Sequence, residues 1–238
     1  MNVWIIIGLV FAALLALCFL LAIANFTDER FAEKYNEFNN IEANTNLSPL
    51  DFVEQVLRRY IKKPLEIVQI SNIAGDAYGK GKLFLSGNTL NMHTLASYTI
   101  IAHELGHALQ DVSGNKLKKL HRLRRVGRFI AKTRILMPSL VAGMILLAFG
   151  GTPFIIGCGL LALSAFIFIL ALVVKLMTIS IEKDASKNAM IYLAEVFEGE
   201  QLRLCKKFLN EARLTYWAEF LRIVLGWTGA SKKGTLFN

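Results

Sequence analysis

Leu136 to Val174 is a run of 39 residues without one Asp, Glu, Lys or Arg. As a helix rising 1.5 Å per residue it would extend about 58 Å, close to twice the roughly 30 Å hydrocarbon core of a bilayer. A single soluble core has no use for such a segment, so the run is read as two crossings. Gly150-Gly151-Thr152-Pro153 lies near its middle. Gly and Pro both weaken a helix there, and the backbone they free can be hydrated at the membrane surface. The expectation is a transmembrane hairpin over residues 135–177.

A second apolar run, Trp4 to Ala24, would span about 31 Å as a helix, and Met1 to Thr27 carries no charge. It lacks the basic leader and small-residue cleavage site of a signal peptide, so a retained anchor over residues 1–27 is expected. That makes three transmembrane helices. The composition agrees: 54% hydrophobic and 19% charged residues, against about half and a quarter in soluble domains. So high an apolar content excludes disorder, and three cysteines without a C-x-x-C pair exclude a disulfide scaffold or a thiolate zinc site.

Lys and Arg set the orientation. Nine of them fall between Lys116 and Arg134 with no acid among them, and Lys175, Lys183 and Lys187 follow the hairpin. Gly150 to Pro153 has none, so the hairpin tip should point out and residues 28–134 and 178–238 should lie in the cytosol. The net charge of +9 is read as this topological signal plus attraction to anionic membrane lipids. No nucleic-acid partner is expected, because the basic run abuts a span and has no interleaved aromatics to stack on bases.

In the cytosolic part, residues 28–47 read as a linker or frayed helix. Ser48-Pro49-Leu50-Asp51 combines an N-cap, a Pro in the first helical position and an acid three residues after the cap. Val53, Val56, Leu57, Tyr60 and Ile61 give that helix one apolar face, ended by Pro64. Leu65 to Ile70 and Lys82 to Ser86 are short strand-like runs around a Gly75 to Gly81 turn region, a small sheet of hairpin type.

Residues 94–111 then read as a helix bearing His103-Glu104-Leu105-Gly106-His107. Two His four apart project from one face, about 6 Å between β-carbons, so both imidazoles can reach one Zn2+ at about 2.0 Å. Glu104 lies beside the pair, placed to take a proton from a metal-activated water and pass it to a leaving amine. Gly106 costs about 1 kcal/mol against Ala inside a helix, a sign of close packing there. A third ligand is required. Position 113 is Ser, so the longer H-E-x-x-H-x-x-G-x-x-H pattern fails. His93, His121, Glu182, Asp184, Glu195, Glu198 and Glu200 are all open to that role on spacing alone.

The N-terminal anchor, H-E-L-G-H-A-L-Q, a transmembrane hairpin, E-x-D-A-S at Glu182 to Ser186 and L-N-E-A-R-L-T-Y at Leu209 to Tyr216 together resemble the YugP-type membrane zinc metallopeptidases of bacteria. The resemblance covers roughly residues 47–225. It implies a zinc endopeptidase with one Zn2+ per chain, His103, His107 and Glu182 as metal ligands, Glu104 as general base, and a protein or peptide substrate. The fold expected is mainly α and multi-pass: a zincin-like active helix, a small α+β cytosolic metallopeptidase unit over residues 28–134, three transmembrane helices, and a cytosolic helical tail over residues 178–238. The tail is more charged than the apolar version typical of such proteins and reads as an amphipathic helix, with Phe208, Ala212, Phe220 and Val224 among its apolar positions. Lys82 to Ser86 is expected to be the edge along which an extended substrate pairs. Tyr78, His93, Tyr98 and His121 are all open as oxyanion donors. The localisation expected is the cell membrane, with the active site on the cytosolic side. A zinc-stabilised membrane scaffold that does not cut is the alternative.

Overall fold

The computed structural model describes Phe19, residues 22–23, 25–27, 29–71, 75–114 and 136–224. Most of the expected Trp4 to Ala24 anchor, the basic segment Lys116 to Arg134 and His121 lie outside the described residues. The chain divides into two units, one of residues 1–115 with 179–238 and one of residues 116–178.

In the first unit, residues 29–39, which read as a linker or frayed helix in the sequence, are helical (α1). The helix α2, Pro49–Val56, begins as its sequence dictates. Ser48 Oγ accepts the Asp51 N–H at 3.1 Å, Asp51 Oδ2 accepts the Ser48 N–H at 3.3 Å, and Pro49 opens the first turn. Its axis continues as a π-turn over Leu57–Ile61, which ends before Pro64 because Lys62 turns left-handed at φ 53° and returns its N–H to Leu57 O.

The sheet is three-stranded in the order β1-β3-β2, with β1 Glu66–Ile70, β2 Ala77–Gly79 and β3 Lys82–Ser86. β1 runs parallel to β3 in the register Ile67 to Leu83, and β2 antiparallel in the register Tyr78 to Leu83. This corrects two expectations. The sheet is not a simple hairpin, and Lys82–Ser86 is its central strand, paired on both sides over Lys82–Phe84, so it is not the free edge expected for a substrate. Leu83 and Leu85 are fully buried, pinning the register from one face. Asp76 holds the corner after β3: its carboxylate accepts the Ser86 N–H and the Thr89 hydroxyl, at the start of the short helix α3, Gly87–Asn91.

The central helix is α4, Leu95–Ser113, capped by Thr94. Every residue from Leu95 to Gly106 is buried, so this stretch of the helix is enclosed on all sides and its polar side chains must find partners inside the protein. The tail forms α7, Gly199–Val224. It packs on this unit: Phe208 is fully buried, with its ring 5.7 Å from Phe31 and 5.1 Å from Phe38, and Ala212 and Tyr216 continue the same face. Phe220 packs against the core, half-buried.

The second unit contains α5, Leu136–Leu146, and the start of α6, Thr152–Leu193. Gly151, at φ 67°, makes the turn between them, so Pro153 sits in the first turn of α6. Their backbones are close. A β-carbon at Gly157 would lie 2.9 Å from Gly143 O, and Ser139 and Ser164 share a 2.7 Å hydrogen bond. Small residues and a hydroxyl pair at the contact are how helices associate in lipid. Among the described residues α6 is the one helix long and apolar enough to cross a membrane, and Ile155, Phe166 and Ile169 on it are exposed.

Candidate metal centre

His103 and His107 leave α4 from one face because they are one helical turn apart. Glu182 comes from α6, where Ala185 and Ala189 on the same side are fully buried and short enough to let the helix approach. The two imidazoles converge on one carboxylate oxygen: Glu182 Oε2 lies 3.1 Å from His103 Nε2 and 3.2 Å from His107 Nε2. The rings are nearly perpendicular, with centroids 4.9 Å apart.

Each ring nitrogen that faces away from this meeting point has its own neighbour. His107 Nδ1 lies 3.0 Å from Gln110 Oε1, and His103 Nδ1 lies 3.4 Å from Ser186 Oγ, one turn after Glu182. Tyr216 of α7 is buried against Glu182, and burial, the charges of Glu182 and Glu104 and a hydrogen bond to Glu182 push its phenol well above the usual value. Glu104 accepts the backbone N–H of Tyr78 at 2.6 Å on Oε2. Its Oε1 is buried without a hydrogen-bond partner.

Burial and electrostatics act together here. Desolvation lifts the Glu104 carboxyl to about 8, against the pull of His107. Burial pulls His103 below its ordinary value although Glu182 opposes it. For His107, burial pulls downward most strongly, but Glu182, Glu104 and the Gln110 hydrogen bond together raise the imidazole to about 9. Burial works to raise Glu182, but the two imidazoles hold it well below the usual carboxylate range.

Two imidazole nitrogens and a carboxylate oxygen are the donor set of a catalytic zinc site, and the spacing fits. Two donors about 2.0 Å from one tetrahedral centre lie about 3.3 Å apart, near the separations found. Among the described residues His103, His107 and Glu182 are the one group of three able to hold a metal ion together.

Among the described residues, the remaining third-ligand candidates are not in that group. His93 Nδ1 pairs with the Tyr98 hydroxyl at 3.0 Å, Glu195 binds Arg59 at 2.9 Å and also Tyr60, and Glu200 pairs with Arg203. Glu198 is exposed, and Asp184 is half-buried. Of the oxyanion candidates, Tyr98 donates to Leu47 O and Tyr78 donates to Asp111 Oδ2 at 2.9 Å. The sequence reading passed over Gln110, Ser186 and the Tyr78 backbone. Gln110 carried a signal, since it lies three residues after His107 and therefore on its face of the helix. The Tyr78 N–H carried none.

A helix with H-E-x-x-H faces a Glu from a later helix, with His103, Glu104 and Glu182 buried and His107 half-buried, and this is the donor pattern expected of a zinc metallopeptidase. Residues 12–227 match the family described as "Putative neutral zinc metallopeptidase", and the chain belongs to it. No curated protein and no solved structure matches it.

Proposed function

We propose that the chain is a membrane-anchored zinc endopeptidase in which His103, His107 and Glu182 hold one Zn2+ and Glu104 is the general base. The observation that carries this is the meeting of His103 Nε2 and His107 Nε2 at Glu182 Oε2, with the unpartnered Glu104 Oε1 on the same helix. Bound zinc supplies a Lewis acid for the peptide carbonyl and a water acidic enough to lose its proton near neutral pH. Glu104 takes that proton on Oε1 while the Tyr78 N–H holds Oε2, so the carboxylate cannot swing away from its task. The same oxygen then delivers the proton to the leaving amine.

The topology proposed with it has an anchor over residues 1–27, a metallopeptidase unit over 28–134, a hairpin over 135–177 and a tail over 178–238. The Lys and Arg pattern supports the cytosolic side for the site, and lipids and a protein or peptide substrate are the partners.

Glu104→Gln in the full detergent-solubilised chain tests the reading. Wild type should carry one zinc per chain and cleave an unfolded protein substrate, and the variant should keep the zinc and lose cleavage by at least about 100-fold. Zinc in both proteins with cleavage in neither would favour the non-cutting scaffold.

A further inference from the structure

We infer that Gln110 is the positioning residue that locks the two halves of the metal centre together, fixing the His107 tautomer and the peptide unit that carries Glu182. This rests on the reading of His103, His107 and Glu182 as zinc ligands. The amide of Gln110 spans two elements. Oε1 lies 3.0 Å from His107 Nδ1, and Nε2 donates to the Ile181 carbonyl of α6 at 2.8 Å.

The chemistry of the two ends leaves one arrangement. A carbonyl oxygen only accepts, so the group facing Ile181 O must be the amide NH2. The group facing His107 is then the amide oxygen, also only an acceptor, which requires the proton of a neutral His107 to sit on Nδ1. With a metal in place of its proton, Nε2 would be the nitrogen that offers its lone pair, and Nε2 is the atom that faces Glu182 Oε2. The Ile181 carbonyl belongs to the same peptide unit as the Glu182 nitrogen. A single amide thus sets the orientation of one ligand ring and the position of the backbone bearing another, and partners of this kind govern metal affinity.

A glutamine joining two elements also stabilises packing in general, and a second one separates the two roles. Gln201 of α7 bridges in the same manner far along the chain, accepting from Asn44 N–H and donating to Glu42 O, each at 3.0 Å. Zinc dissociation constants are measured by chelator competition on the full detergent-solubilised chain, for wild type, Gln110→Met and Gln201→Met. Cobalt(II) absorption spectra of the same proteins report ligand geometry.

Gln110→Met should weaken zinc binding about 10- to 100-fold and shift the cobalt bands, while Gln201→Met leaves both unchanged. Equal zinc affinity in wild type and Gln110→Met, or equal weakening in both variants, overturns the inference and leaves the peptidase reading standing. A wild type without stoichiometric zinc overturns both. Should Gln110→Met not fold, Gln110→Ala takes its place with the same expected outcomes.

Discussion

A β-carbon placed on Gly106 would lie 2.5 Å from the carbonyl oxygen of Ala185. This contact sets how near α4 comes to α6, and so whether His103 and His107 can meet Glu182. Gly106 lies midway between Glu104 and Ala108 on the active helix, and Ala185 follows Glu182 by three residues, nearly one turn. The obstructing atom is backbone and cannot rotate aside. Gly106→Ala gains about 1 kcal/mol of helix propensity but forces two packed helices apart, which costs about 1–3 kcal/mol. The expected net result is a lower Tm and substoichiometric zinc, read by thermal unfolding and metal analysis of the purified variant. A variant with undiminished zinc and a higher Tm would show that the helices yield without disturbing the site.

Tyr78 touches α4 twice. Its N–H binds Glu104 and its hydroxyl binds Asp111, seven residues later on the same face. The hydroxyl bond therefore holds the β2 backbone in place over Glu104, the proposed general base. Tyr78→Phe and Asp111→Asn each remove or weaken a hydrogen bond involving a charged group, worth about 1.5–3 kcal/mol when fully formed. Part of that loss should reach the reaction as a roughly tenfold lower kcat, with KM and zinc content near wild type. A change confined to KM would place Tyr78 in substrate binding instead.

The parts of this architecture legible in the sequence are those specified by near neighbours. Ser48, Pro49 and Asp51 announce a helix start within four residues, and His103, Glu104 and His107 share a helical face by spacing alone. Glu182 is different: 75 residues separate it from His107, and spacing left it one of seven candidates until the E-x-D-A-S resemblance singled it out. The topology of the sheet is hidden in the sequence for a related reason. Strand order depends on pairings between segments, and nothing within Lys82 to Ser86 states that β1 lies parallel on one side and β2 antiparallel on the other. The tail illustrates a third case. Phe208 and Ala212 mark an apolar face correctly, but whether that face meets lipid or protein is decided by Phe31 and Phe38 on α1, a helix hidden in a polar segment.

Asp76 makes stability depend on pH. Burial pushes its carboxyl above the ordinary value, against the hydrogen bonds from Ser86 and Thr89. A group whose native pKa is raised binds its proton more tightly folded than unfolded, so its contribution is full below the unfolded value of about 3.9 and is lost as pH climbs through the raised native one. Asp76→Asn carries no such proton. The Tm advantage of wild type over Asp76→Asn should therefore be largest near pH 4 and shrink toward pH 7. An advantage that grows with pH would mean the ionised carboxylate is the form the fold prefers.

Glu182 and Glu195 are both acids near the end of α6 with partners from elsewhere in the same unit, yet their roles should separate. Glu182 is 6% exposed and faces two imidazoles. Glu195 binds Arg59, Tyr60 and Gln55, tying the π-turn after α2 to the turn after α6. Removing Glu182 takes one of three donors from the proposed metal centre and leaves two imidazoles facing each other, so Glu182→Ala should hold less than one zinc per chain after dialysis. Removing Glu195 breaks packing contacts alone. Glu195→Ala should unfold at lower temperature while its zinc content stays at one per chain. Metal analysis paired with thermal unfolding reads both variants at once, and a Glu182→Ala protein that retains a full, tightly held equivalent would remove that residue from the ligand set.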